Sequence, residues 1–157
     1  MMTRQEIFDT VYLGLKAQNF ERSTSRPEST SPENCLYRHG DLKCAFGHLI
    51  PDEQYDPELE TKSAEGLLGG NVLKGAENSL RYAQAATVSR NEVEIAEYNH
   101  QIEVYTKFKE WSDATFDPKD HGFIGVMQGI HDCALDTDAM KKTLIDRAFN
   151  EGLEVPD

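Results

Sequence analysis

The sequence predicts an α+β fold, a mostly helical single domain over residues 1–157 with one small β-hairpin. Three observations carry this. Apolar residues recur at helical spacing in at least four stretches, and alternation with a Gly-Asp turn is confined to one. A chain of 157 residues with 38% hydrophobic side chains can also bury a sizeable core without staples.

Taken in order, residues 3–17 read as a helix. Thr3 and Glu6 form a capping box, and Ile7, Val11, Leu13 and Leu15 supply apolar positions with Tyr12 at the edge. Residues 20–34, with Pro27 and Pro32 among polar side chains, read as an exposed loop. Leu36 and Arg38 then alternate with Cys35 and Tyr37 before Gly40-Asp41, and Lys43 and Cys44 follow on the return strand, as in a hairpin. Gly47 is expected to break that strand and Pro51 to start a short helical stretch through Tyr55. A helix is expected over 58–68, interrupted by Gly69-Gly70 and resumed over 72–86.

The strongest periodicity runs over 91–111, where Ile95, Tyr98, Ile102, Tyr105 and Phe108 recur at steps of three and four. This stripe is expected to pack on its own core or to leave a homodimer open. Over 122–135 a helix is expected to turn Phe123, Val126, Met127, Ile130 and Ala134 inward, with Cys133 in the core. Thr137 is expected to cap the last helix and Gly152 to end it.

The formal net charge is −12. The first fifty residues carry as many basic as acidic side chains, so the whole excess lies beyond them. That argues against extended contact with DNA or RNA backbones, which Lys and Arg must neutralise. It leaves open an acidic surface that occupies a partner's basic groove, with Glu92, Glu94, Glu97 and Glu103 on the water-facing side of the 91–111 helix as its candidates. No apolar run approaches the roughly 20 residues of a membrane span. The opening MMTRQEIFDTVYLG lacks the layout of a signal peptide, so the expected location is cytoplasmic. Three cysteines at irregular spacing fit a reducing compartment.

Chemistry concentrates in CLYRHGDLKCAFGHLIPDEQY, residues 35–55. Cys35, His39, Cys44 and His48 follow C-x3-H-x4-C-x3-H, two soft thiols and two imidazoles that could hold zinc, although neither pair has the two-residue separation of a thiolate knuckle. Buried free thiols are the simpler reading, and no cofactor is expected. Cys44 has His48 four residues on but no third group to orient it, which disfavours a cysteine nucleophile. Tyr37, Arg38 and Lys43 are candidates for an anion pocket in which an aromatic ring stacks on a nucleotide base. The adjacent His131-Asp132 evokes metal phosphohydrolases, yet a hydrogen-bonded helical pair explains it without metal. Phosphate-loop, dinucleotide and metalloprotease signatures are all lacking.

In CLYR at 35–38, KCAFGHLIPDEQY at 43–55, GVMQGIHDCA at 125–134 and a final helix ending in NEGL, the chain resembles a set of small bacteriophage and prophage proteins. The likeness covers both ends, and it implies that 69–112 is a helical insertion between the two matching parts. It brings no activity with it, and it marks Cys35, Tyr37, Arg38, Cys44, Gly47, Leu49, Ile50, Pro51, Asp52 and Glu53 as a unit in which His39 and His48 are less secure. The resemblance implies an accessory role in the host cytoplasm. The preferred expectation is a non-enzymatic protein that binds and inhibits a host factor, in counter-defence. The alternatives are sequestration of a small nucleotide and metal-dependent hydrolysis.

Overall fold

Helix α1 (Arg4–Ala17) starts where the capping box places it. The Glu6 amide donates to Thr3 Oγ1 at 3.2 Å and the Thr3 amide donates to the Glu6 carboxylate at 2.7 Å, an arrangement that stabilises a helix start by about 1 kcal/mol. The computed structural model describes residues 1–25, 35–60, 62–85 and 91–157, so most of the polar loop expected over 20–34 lies outside the described residues. Ile7, Phe8, Val11, Tyr12 and Leu15 form the buried face of α1; Tyr12 is in the core rather than at its edge, and Leu13 points outward.

The hairpin is short. Strands β1 (Arg38–His39) and β2 (Leu42–Lys43) pair antiparallel, Arg38 opposite Lys43 and His39 opposite Leu42. Gly40 turns the chain at φ +59°, a conformation costly for any residue with a Cβ. The return strand stops one residue before the expected Cys44, because that thiol caps α2 (Ala45–Leu49) by accepting the Gly47 amide at 3.2 Å. Gly47 therefore sits inside a helix. Its role is proximity: an ideal Cβ there would lie 2.1 Å from the Tyr37 carbonyl oxygen.

The helix expected over 58–68 is split into a 3-10 turn at Pro57–Leu59 and α3 (Ala64–Leu68), since Asp56 caps the first and Ser63 the second. Gly70 at φ +72° separates α3 from α4 (Asn71–Ala85). α4 pairs along α5 (Asn91–Thr115), the longest helix. Tyr105 and Phe108 of the predicted stripe enter the core, where Phe46, Phe108, Trp111 and Phe116 meet edge to face in series, whereas Ile95, Tyr98 and Ile102 are half-buried.

Helices α6 (His121–Cys133) and α7 (Thr137–Glu151) complete the domain. Asp136, not Thr137, caps α7 by accepting the Ala139 amide at 2.7 Å, and Gly152 ends it in the left-handed conformation as expected. α6 departs from the expected register. Phe123, Met127 and Ala134 are buried as anticipated, but Val126 and Cys133 are exposed, and Ile124, Gln128 and His131 take the interior. Arg4 joins the ends of the chain, pairing with Asp120 and with Glu151 at 2.7 Å each. The fold is thus mostly helical α+β, and among the described residues no helix is long and apolar enough to cross a membrane.

Replacing Gly47 by Ala should lower the unfolding free energy by about 3 kcal/mol, since the clash is with backbone that cannot swing aside. Urea denaturation would read this as a shift in midpoint at constant slope. Gly125→Ala, whose Cβ would meet nothing within 4 Å, serves as the control.

Candidate functional site

A cleft of about 1010 Å³ opens between α6 on one side and the segment from Cys35 through α3 on the other. On its α6 wall Gly122, Gly125 and Gly129 leave room between Val126, Gln128 and Asp132, and a methyl on any of the three glycines would touch nothing within 4 Å. The opposite wall carries Glu60, Lys62 and Glu65, and Cys35 and Asp132 line the cleft as well.

Cys35 reaches this place through pairing between segments distant in sequence. Thr24 and Cys35 form an antiparallel bridge, and the Leu36 amide donates to the Ser23 carbonyl at 2.9 Å. Ser23 is fully buried, and its amide donates to His131 Nε2 at 3.2 Å. That contact makes Nε2 the acceptor, so the ring proton is on Nδ1, which faces Asp132 Oδ1 at 3.0 Å. The same carboxylate oxygen accepts from Gln128 Nε2 at 2.6 Å, while Gln128 Oε1 accepts the Phe46 amide of α2 at 2.8 Å. Arg22 closes the set, with Nη2 donating to the Asp132 carbonyl at 2.9 Å and contacting Cys35 Sγ at 3.1 Å. Burial pushes the Cys35 thiol up, the Arg22 contact opposes this, and the Asp132 charge adds to the rise.

The residues singled out from sequence are distributed differently. Among the described residues, the group of Cys, His and acidic side chains close enough to share an ion is Cys35, His131 and Asp132. His39, Cys44 and His48 are not in it. Cys44 is fully buried as the α2 cap, its thiol pushed up by burial, and His39 is exposed at the hairpin turn. The His48 ring bonds Gln18 Oε1 at 3.0 Å and lies where Gly14 has no side chain. Burial first, then the nearby positive charges of Lys43 and Arg38, lower the His48 pKa from 6.5 to about 4. The expected C-x3-H-x4-C-x3-H set therefore does not converge, because the hairpin turn sends His39 to solvent while α2 carries Cys44 and His48 inward.

Tyr37, Arg38 and Lys43 are occupied within the chain. The Tyr37 hydroxyl donates to the Lys62 carbonyl and its ring packs edge-on against Phe46. Arg38 lies over the Tyr55 ring at 4.2 Å and donates to Asp52 and the Ile50 carbonyl at 2.7 Å each; Lys43 Nζ meets the same Asp52 at 3.3 Å. Glu60, which sequence reading passed over, accepts the Tyr37 amide at 2.8 Å, the Arg38 amide at 3.0 Å and the Tyr55 hydroxyl at 2.9 Å. Gln128 was missed too. The available signal was two polar residues, Gln128 and His131, three apart in an otherwise apolar helix.

Glu92, Glu94, Glu97 and Glu103 are all exposed on α5. Two large apolar side chains of the same helical pair are exposed as well, Tyr82 at 79% and Val93 at 78%. Glu92 and Glu103 project from one side of α5 and Glu94 and Glu97 from another, as a period of 3.6 requires.

Gln128→Leu should cost about 2 kcal/mol, because it strands the buried Phe46 amide and removes a donor from Asp132; chemical denaturation reads it. His48 gives a pH signature. Between its ordinary value of 6.5 and about 4 the unfolded chain takes up a proton that the folded chain refuses, so stability falls as pH drops through that window. Denaturation midpoints from pH 7 to 4 should show a shallower decline in His48→Gln than in wild type.

No family model matches this chain, and no curated protein or solved structure matches it either.

Proposed function

We propose that this chain is a non-enzymatic binding protein that engages a basic surface on a partner protein through the exposed glutamates around the N-terminal half of α5. The observation that carries this is the exposure of all four glutamates, Glu92, Glu94, Glu97 and Glu103, on a helix pair that also exposes Tyr82 and Val93. In a chain of net charge −12 these glutamates attract a cationic groove at long range, and the aromatic and aliphatic side chains supply contact area that charge alone lacks. The resemblance to bacteriophage and prophage proteins points to a bacterial host factor as the partner. Inhibition of that factor, in counter-defence, is the role that follows. A nucleic-acid-binding host protein offers the complementary charge, since its groove is built to receive phosphates.

The test is affinity capture from host extract by wild type and by a variant with Glu92, Glu94, Glu97 and Glu103 all changed to Gln. Capture of a basic protein should fall at least tenfold in the variant and weaken as salt rises from 0.05 to about 0.5 M, as screening requires. Equal capture by both proteins would remove this reading.

Sequestration of a small ligand is the second reading, and the cleft of about 1010 Å³ favours it. The site then differs from the one expected from sequence, because Arg38 and Lys43 are tied to Asp52. Calorimetry against mono-, di- and cyclic nucleotides should give any binding signal undiminished in Arg38→Ala and abolished in Gly125→Leu, which fills the cleft from its α6 wall. The reverse pattern would return the site to the hairpin.

A further inference from the structure

The three titratable side chains at the cleft wall differ in kind, and that difference is informative. Cys35 offers a soft thiolate, His131 an imidazole and Asp132 a carboxylate, with one donor atom of each lying within 4.8 Å of the others. These are the donor types that a borderline divalent cation such as zinc accepts. We propose that Cys35, His131 and Asp132 form a three-ligand, zinc-type metal site that opens on the cleft.

Two features of the surroundings support the assignment. Cys35 and Asp132 both line the cleft whereas His131 is fully buried behind them, so the ion would sit at a wall with protein on one side and open space on the other. Three protein donors facing a cavity leave the fourth position of a tetrahedral ion for water or for an oxygen or nitrogen donor of a small ligand. The thiol and the carboxylate also crowd two potential negative charges together, a conflict that Arg22 eases from one side and that a dication would resolve.

Binding requires a defined rearrangement. The ring proton is on Nδ1, facing Asp132, because Nε2 accepts the Ser23 amide. For Nδ1 to bind an ion the proton moves to Nε2, and the Ser23 contact, a long one at 3.2 Å, opens. The thiol proton leaves to solvent, as metal thiolates require. Arg22 remains as an outer donor to sulfur, the kind of support that orients a first-shell ligand. This set differs from the cysteine-histidine spacing of the hairpin: it shares only Cys35 with it, and it is independent of the α5 surface.

Zinc and cobalt(II) titrations of the full chain after chelator treatment test the site. The expected results are one ion per chain by calorimetry, a thiolate-to-cobalt charge-transfer band in the near ultraviolet, and a displaced Ser23 amide resonance. Cys35→Ser and Asp132→Asn should each weaken zinc at least tenfold, with His39→Ala and Cys133→Ser unchanged. The cobalt band and the Ser23 resonance are read on the wild-type chain, so the test does not depend on how the variants fold. No binding by wild type, a cobalt complex without the thiolate band, or affinity lost in His39→Ala instead of Cys35→Ser would each overturn the proposal.

Discussion

Burying Gln128 and His131 on the inner face of α6 is the constraint on which the rest of this fold depends. A side-chain amide and an imidazole removed from water must find partners, because each unmade hydrogen bond costs about 1–3 kcal/mol. Here the partners come from two other places in the chain, the Phe46 amide at the start of α2 and the Ser23 amide beyond α1, and from Asp132 within α6 itself. Satisfying two side chains thus fixes where α2, the segment after α1 and α6 lie relative to one another. The apolar core then packs around that arrangement, with Phe46 touching Tyr37 on one side and Phe108 on the other.

This wiring also explains the cleft. α6 commits one face to the network and the aromatic core, and on the adjoining face Gly122, Gly125 and Gly129 have no side chains to fill the space between α6 and the opposite wall. Cys35 is drawn to the same place because its segment pairs with Ser23 and Thr24, and Ser23 is the residue that bonds His131. The chemical cluster is therefore a consequence of the same hydrogen bonds that hold the fold. The acidic surface of α5 is separate in both position and cause. Its glutamates are exposed because α5 continues beyond Tyr105 and Phe108 toward its N-terminal end, where it has α4 beside it and its outer residues face water.

Much of this was local and could be read directly. The Thr3–Glu6 box, the Gly40-Asp41 turn, the break at Gly69-Gly70, the long stripe of α5 and the Gly152 stop all depend on residues within a few positions of one another. Periodicity and capping chemistry respond to such neighbours alone, so the fold class and most helix boundaries followed. The errors have one common form. Read by residue type alone, Cys44 belongs to a strand, Gly47 breaks that strand and Cys133 belongs to the core. Their actual roles are set by a cap, a close approach to the Tyr37 carbonyl and a helix face displaced by two buried polar residues.

The candidate site divides in the same way. Sequence by itself determined the ingredients: a charge of −12 lodged after residue 50, glutamates on the outer side of a long helix, thiols and histidines in one segment, and an adjacent His131-Asp132. Only the tertiary structure decided that Cys35 meets His131 and Asp132 rather than His39, Cys44 and His48, and that Asp52 engages Arg38 and Lys43. The reason is distance along the chain. Cys35 and His131 are brought together by backbone pairing at Ser23 and by the register of α6, and a contact between residues nearly a hundred positions apart leaves no periodic trace in either segment.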